Sequence, residues 1–201
     1  MPVEKLPSTK VAIFKRYCRE AAGVEALLLE GERAYIAGDH ETASLLCHAA
    51  LIRLNDSWSK FSRRLLVASA LGLAGFTGKH PKAPNIADEG SAMAALGIGV
   101  PWREDWAWHV AGTFLGAARK LKVTNITTLN GSMGATPNPS EAVRFIRNFF
   151  AHRNPDTYRR AMTVCGGSRP VDFCFTEYER GRLKILVWLE DLRIIARLAC
   201  D

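Results

Sequence analysis

Three polar residues near the end of one apolar segment carry the strongest chemical signal in this sequence. Arg147 and Asn148 are adjacent, and His152 follows within the segment S-E-A-V-R-F-I-R-N-F-F-A-H-R-N-P-D-T-Y-R-R at 140–160. An arginine guanidinium presents a fixed fork of donors to phosphate oxygens, and a histidine exchanges a proton near neutral pH. Such residues can bind and cleave a phosphodiester. We therefore identify Arg147, Asn148 and His152 as candidate catalytic residues, with no metal ligands and no cofactor.

A helix must position these side chains, and the spacing of apolar residues predicts one. The apolar positions recur at helical intervals, at Val143, Ile146, Phe149 and Phe150. Ser140 after Pro139 suits an N-cap. On an ideal helix, five residues of separation rotate Arg147 and His152 about 140° apart, so the two do not share a narrow face. Either the helix ends near His152, or two copies of the chain combine their residues.

The residues after His152 predict that the helix ends there. Pro155 disfavours a helical conformation at Asn154 and suits the first turn of a new helix, for which Asn154 can be the cap. We expect a helix, a break at His152 and a second short helix.

The segment R-N-F-F-A-H at 147–152 resembles the signature of the HEPN superfamily (higher eukaryotes and prokaryotes nucleotide-binding). Its ribonuclease members carry an arginine, a polar residue, a short spacer and a histidine. The resemblance implies an α-helical bundle that dimerises so that two motifs face each other. It also implies metal-independent RNA cleavage, often by toxins, abortive-infection factors and phage-defence effectors.

The Arg-to-His spacing occurs elsewhere in the chain. The segments 33–40 and 103–109 fit a looser pattern, but the residue after the arginine is Ala34 in the first and Glu104 in the second. Structural alternatives also exist for the motif itself. A histidine at a helix C-terminus is favourable for the helix dipole, and Arg147 could form an ordinary surface ion pair. A catalytically inactive relative that still binds RNA is a further alternative.

The motif lies in a basic stretch that suits a phosphate backbone. Residues 141–160 contain five arginines against Glu141 and Asp156, and attraction of this kind is electrostatic and falls with salt. A tyrosine in the same stretch could stack on a base or pack within the bundle. The predicted RNA-binding residues are Arg144, Arg153, Tyr158, Arg159 and Arg160. For Arg159 and Arg160, a solvated helix face is an equal alternative.

Composition sets wider limits on the class of protein. The chain has 201 residues, of which 48% are hydrophobic and 23% charged, and we expect a single domain over 1–201. The formal charge of +7 is a modest argument for a nucleic-acid partner. Five cysteines without a CxxC pair favour a reduced, cytoplasmic setting. The N-terminus lacks a signal-peptide core, and the apolar run at 65–76 is shorter than the roughly 20 residues that cross a bilayer, so we predict no membrane association.

The remaining periodicity predicts an all-α bundle of about five or six helices with Gly/Pro-rich loop insertions. The predicted loops are 77–101, with one short helix at 91–96, and a flexible approach at 124–139. Alternation at 171–175 suggests a short strand. The other predicted helices cover 8–30, 41–54, 58–74, 102–121 and 182–199, with a stop and a new cap at 55–57.

Two other motifs do not support a function. The segment G-L-A-G-F-T-G-K-H at 72–80 fails as a P-loop because His80 replaces the required Ser or Thr and an apolar helix precedes the segment. His40, Cys47 and His48 have no standard metal-ligand spacing, so we expect a buried Cys47 and exposed histidines.

These observations together predict a metal-independent endoribonuclease that produces a 2′,3′-cyclic phosphate at a site shared by a homodimer. The resemblance further implies that the protein is a bacterial toxin or antiviral defence effector, and that it has an antitoxin or defence-system protein as a partner. The alternative is a non-catalytic helical adaptor that binds nucleic acid or a partner protein. A histidine beside a helix break argues against that alternative, because binding alone does not need one.

Overall fold

The computed structural model describes residues 6–98, 107–136 and 138–201, and these residues are predominantly helical. In chain order the helices are α1 (Lys10–Ile36), α2 (His40–Ala70), α3 (Glu89–Leu96), α4 (Ala111–Lys120), α5 (Ile126–Met133), α6 (Ser140–His152), α7 (Pro155–Val164), α8 (Pro170–Thr176) and α9 (Lys184–Ala199). Two short strands, β1 (Tyr178–Glu179) and β2 (Arg182–Leu183), form an antiparallel hairpin. The predicted helical class is confirmed. The predicted count of five or six is wrong, since the described residues contain nine helices.

The chain forms two compact units. One comprises the described residues of Met1–Tyr17, Ser59–Asn138 and Ile194–Asp201, and the other comprises Cys18–Trp58 and Pro139–Arg193. Helices α1, α2 and α9 supply residues to both. The second unit contains α6, α7, α8 and the hairpin, and therefore the whole candidate motif. No helix within the described residues combines the length and apolarity that crossing a membrane requires.

Helix α2 is continuous where the sequence predicted a stop and a new cap at 55–57. The Ser57 hydroxyl donates a hydrogen bond to the Leu54 carbonyl at 3.0 Å instead of capping a new helix. Leu54 and Trp58 are buried, as is Asn55. Burial on both sides of the polar triplet keeps the helix intact, because packing of an apolar face outweighs weak local stop signals.

The segment predicted as a strand at 171–175 is helix α8, so that prediction is wrong. Pro170 occupies its first turn, where a missing N–H costs nothing, and Arg169 is the N-cap residue. Phe173, Cys174 and Phe175 are all buried. Three consecutive buried residues do not follow the alternation of a half-exposed strand.

The strand signal lies a few residues further along the chain. Arg180 and Gly181 have φ values of 53° and 73° and join β1 to β2. Two consecutive residues with positive φ are typical of the type I′ turn, which matches the twist of a two-stranded hairpin.

The loop predictions are partly correct. The short helix expected at 91–96 is confirmed as α3, whose N-cap Asp88 forms a capping box with Ser91. The predicted flexible approach at 124–139 instead contains α5, which buries Leu129 and Met133 one turn apart. Of the helix predicted over 102–121, Ala111–Lys120 is helical. Residues 102–106 lie outside the described residues.

Candidate functional site

Helix α6 presents the motif and is anchored by its apolar face. Val143, Ile146 and Phe150 are buried in the second unit, as the spacing predicted. The helix begins at Ser140 itself, and Pro139 occupies the N-cap position without a side-chain hydrogen bond. The predicted Ser140 cap is therefore wrong by one position, which leaves the register of the motif unchanged.

The predicted break at His152 is confirmed. Helix α6 ends at His152, and Arg153 follows in the left-handed conformation with φ 43° and ψ 37°. The Asn154 side chain accepts a hydrogen bond from the Thr157 backbone N–H at 2.9 Å, and the Thr157 hydroxyl accepts one from the Asn154 N–H at 3.2 Å. Pro155 begins α7. This reciprocal capping box starts a new helix directly after the histidine.

Arg147 and Asn148 are joined by a side-chain hydrogen bond. The Arg147 Nη1 donates to Asn148 Oδ1 at 3.2 Å, and both residues are half-buried. The Arg147 Nε is buried and has no partner within the described part of the chain. Asn148 and His152 are four residues apart on α6 and so lie on the same face, one turn apart. The hydrogen bond thus brings the Arg147 guanidinium toward the face that carries His152.

His152 is exposed in the last turn of α6. Across residues 6–98, 107–136 and 138–201 it forms no hydrogen bond or ion pair. The Asn148 Oδ1 already accepts from Arg147, so in one chain the amide oxygen orients the arginine rather than the histidine. One chain therefore supplies one exposed histidine and one restrained arginine.

The predicted RNA-binding arginines fall into two groups. Arg144 pairs with Glu141 at 3.0 Å, and Arg159 and Arg160 pair with Asp156 at 3.7 and 3.1 Å. Their charges are partly neutralised within the chain. Arg153 differs, since it has no acidic partner among the described residues.

A cavity of about 440 Å³ opens beside the break in the second unit. Its lining combines aromatic rings, arginines and small polar groups, from Tyr35, His40, Ser44, Phe149, Phe150, Arg153, Tyr158, Arg169, Pro170, Val171 and Asp172. Of these, only Arg153 and Tyr158 were predicted as site residues. The wall formed by α1, α2 and α8 has no linear motif, because its α1 and α2 residues lie more than a hundred positions before its α8 residues in the chain.

Comparison of the chain with protein-family models, with curated proteins and with solved structures finds no match in any of the three. Among the described residues there is also no group of three or more His, Cys, Asp or Glu side chains that could hold a metal ion. The site is therefore interpreted from its own geometry.

His48 lies behind the end of α6 and was missed by the sequence analysis, which expected it to be exposed. Its ring meets Phe150 edge-on, with centroids 4.1 Å apart, and its Nε2 is buried without a hydrogen-bond partner in the described residues. Burial lowers the pKa of His48, and the nearby positive charge of Arg153 lowers it further, while a hydrogen bond with the Phe150 backbone opposes both. His48 is thus held in its neutral form and supports the helix end.

Cys47 is buried, as predicted. It forms a hydrogen bond with Cys174, which, together with burial, raises the pKa of the Cys174 thiol. Neighbouring Cys165 has a pKa raised to about 12, mainly by burial. The Cys165 and Cys174 thiols are therefore protonated at neutral pH and pack as small apolar groups.

Proposed function

We propose that this protein is a HEPN-like, metal-independent endoribonuclease whose active site combines residues of two copies of the chain. The observation that carries the proposal is the helix break at His152. The break leaves this histidine exposed, five residues after an arginine that is restrained by the neighbouring amide. A histidine at a capped break, with no hydrogen-bond or ion-pair partner among the described residues, suits proton transfer better than a structural role.

In the proposed reaction the RNA cleaves itself with help from these side chains. The 2′-oxygen attacks the adjacent phosphorus, so that an O2′–P bond forms and the P–O5′ bond breaks. One His152 takes the proton from the 2′-hydroxyl, and a second gives a proton to the departing 5′-oxygen. Arg147 stabilises the charge on the phosphoryl oxygens. The products are a 2′,3′-cyclic phosphate and a 5′-hydroxyl.

The need for an acid and a base at the same time supports a homodimer. Each chain contributes a single histidine at the end of α6, and that histidine faces solvent. A two-fold axis near the break would bring His152 of both chains to the same phosphate, because a C2 interface presents the same patch twice.

The biological setting that we propose follows from the family resemblance. The protein would be a bacterial toxin or antiviral defence effector in the cytoplasm, and an antitoxin or another defence-system protein would control it. The five cysteines, all of which lie in the described residues, are unpaired, which suits a reducing compartment.

The test is cleavage of total cellular RNA in the presence of EDTA, with the ends of all fragments mapped. We expect discrete fragments with cyclic-phosphate ends from the wild type, none from His152→Ala and far fewer from Arg147→Ala. The matched control is Arg180→Ala, which removes an arginine in the β1–β2 turn and should cleave normally.

Circular dichroism of each variant checks that the helices are retained. Full cleavage by folded His152→Ala would contradict the proposal, and strong inhibition by EDTA would point to a metal-dependent nuclease instead. If wild-type protein binds RNA but leaves it intact, the non-catalytic adaptor is the better description.

A further inference from the structure

The cavity beside the break has the composition of a site for a flat, aromatic ligand. Tyr158 and Phe149 lie at one side, with ring centroids 5.7 Å apart and planes inclined by 55°. Tyr35 and His40 meet edge-to-face at 5.0 Å on another side. Tyr158 keeps 46% of its surface exposed, so much of its ring is available to a ligand.

Arg153 adds an uncompensated positive charge to the same cavity. It has no acidic partner among the described residues, unlike the arginines of α7, which pair with Asp156. It also holds a left-handed backbone conformation with φ 43°, which is unfavourable for an L-residue with a Cβ. Arg153 therefore offers the cavity a positive charge that no acidic side chain of the described residues neutralises.

The opposite wall is held in place by a hydrogen-bond network around Asp172. Its Oδ1 accepts from the Tyr35 hydroxyl at 3.1 Å and from Arg169 Nη2 at 3.3 Å, and its Oδ2 accepts from Arg169 Nε at 2.6 Å. Burial and, after it, the hydrogen bond to Asp172 raise the pKa of Tyr35, which therefore stays a neutral donor. Because these side chains are already held in place, a ligand that binds against them loses less free energy to side-chain ordering.

We infer that this cavity binds one unpaired nucleotide of the RNA substrate, with its base against Tyr158 and Phe149 and its phosphate against Arg153. Aromatic rings beside an arginine are the usual means by which proteins hold single-stranded nucleic acid. The volume of about 440 Å³ falls in the range of small-ligand sites. Arg153 of the lining directly follows His152 in the chain, which connects the cavity to the end of α6.

This inference rests on the proposed function and adds a substrate class to it, which is RNA with an unpaired base beside the cleaved bond. Base-paired RNA would not fit, because a base must leave its stack to enter a cavity lined by rings. The site would thereby direct cleavage to loops, bulges and single strands.

The experiment measures RNA binding separately from RNA cleavage. Full-length His152→Ala protein is titrated with a fluorescein-labelled six-nucleotide RNA in EDTA, and with the same sequence in a duplex. We expect the single strand to bind and the duplex to bind much more weakly. Adding Tyr158→Ala should weaken single-strand binding about 5- to 150-fold, the range for loss of one stacked base, whereas Tyr158→Phe should retain it.

Tyr178→Ala is the matched control, because Tyr178 is an exposed tyrosine of the same unit that does not line the cavity. It should bind RNA as well as the parent protein does. If Tyr158→Ala unfolds, Tyr158→Leu keeps apolar volume without a stacking ring and is expected to show the same loss.

Several results would overturn the inference. The first is that folded Tyr158→Leu or Tyr158→Ala binds single-stranded RNA as tightly as the parent His152→Ala protein does. The second is that the parent protein binds the duplex as tightly as the single strand, and the third is that it does not bind single-stranded RNA. Tighter binding of free nucleoside monophosphates than of the RNA would assign the cavity to a free nucleotide instead. A different result would contradict the proposed function alone. In that case RNA binding would depend on Tyr158, but the wild-type protein would not cleave RNA.

Discussion

The guanidinium of Arg147 is held by its neighbour, since Arg147 Nη1 donates to Asn148 Oδ1 at 3.2 Å. This bond orients an arginine that the helix alone would direct about 140° away from His152. In one copy of the chain, the Asn148 side chain therefore positions the Arg147 guanidinium.

A double-mutant cycle tests this relationship. Arg147→Ala should lower the cleavage rate by about 10²–10³, as expected for loss of one donor to the transition-state oxygens. Asn148→Ala should cause a smaller loss, and the double variant should be no slower than Arg147→Ala alone, because the amide has no other role once the arginine is gone. Initial rates on one mapped RNA fragment provide the measurement. Losses that multiply would show that Asn148 contacts the RNA independently.

Mixed dimers test whether each active site needs two copies of His152. When equal amounts of wild-type and His152→Ala chains are co-refolded, random pairing leaves about a quarter of the dimers with two histidines. We therefore expect about a quarter of the wild-type rate. A rate near half would show that each chain acts alone. Mixing with Tyr178→Ala, which retains His152, should leave the rate unchanged.

Arg153→Asn should separate folding stability from RNA binding. Asparagine tolerates the left-handed backbone better than arginine, so we expect the free energy of unfolding to rise by about 0.5–1 kcal/mol. In the His152→Ala background, affinity for single-stranded RNA should fall, because the uncompensated charge of the cavity is lost. Urea unfolding and RNA titration provide the two measurements.

Arg180→Asn is the matched control for that variant. Arg180 has a similar φ of 53° but pairs with Glu179 and Asp191 outside the cavity. Its replacement should leave RNA affinity unchanged. Equal loss of affinity in both variants would indicate a general charge effect rather than a site at Arg153.

Asn154→Ala should lower the free energy of unfolding by about 1 kcal/mol, because α7 loses its N-cap. Asn154→Asp should retain stability, since a carboxylate accepts the same Thr157 N–H bond and suits a helix N-terminus. Urea unfolding of the three proteins measures the difference. If the two variants are equally destabilised, the side-chain bond is not what holds the break.

His48 should make the protein less stable as the pH falls. Its pKa is lowered in the folded state by burial and by Arg153, so the unfolded chain binds the proton more readily. Stability is therefore lost as the pH drops below about 6.5, the ordinary value for histidine. His48→Gln removes this titration. As the pH is lowered from 7.5 to 5.5, the free energy of unfolding of the wild type should therefore fall relative to that of the variant, until the variant is equally stable or more stable. Parallel curves for the two proteins would contradict this assignment.

Local signals in the sequence determined the motif helix and its end. The apolar spacing from Val143 to Phe150 places that face in the core, and Asn154-Pro155 ends one helix and starts the next. These features depend on residues within a few positions of each other, and backbone sterics and capping act over that range. The strand predicted at 171–175 and the break predicted at 55–57 failed for the opposite reason. In both places burial in the tertiary structure outweighed a weak local preference.

Only the tertiary structure decided what surrounds the motif. It shows which arginines are paired with acids, and that Asn148 holds Arg147. It also brings Tyr35 and Asp172 together across 137 residues to form a wall of the cavity. Spacing along the chain carries no information about such contacts, because they arise when separate helices bury their apolar faces against each other and their polar side chains meet at the edges of that packing.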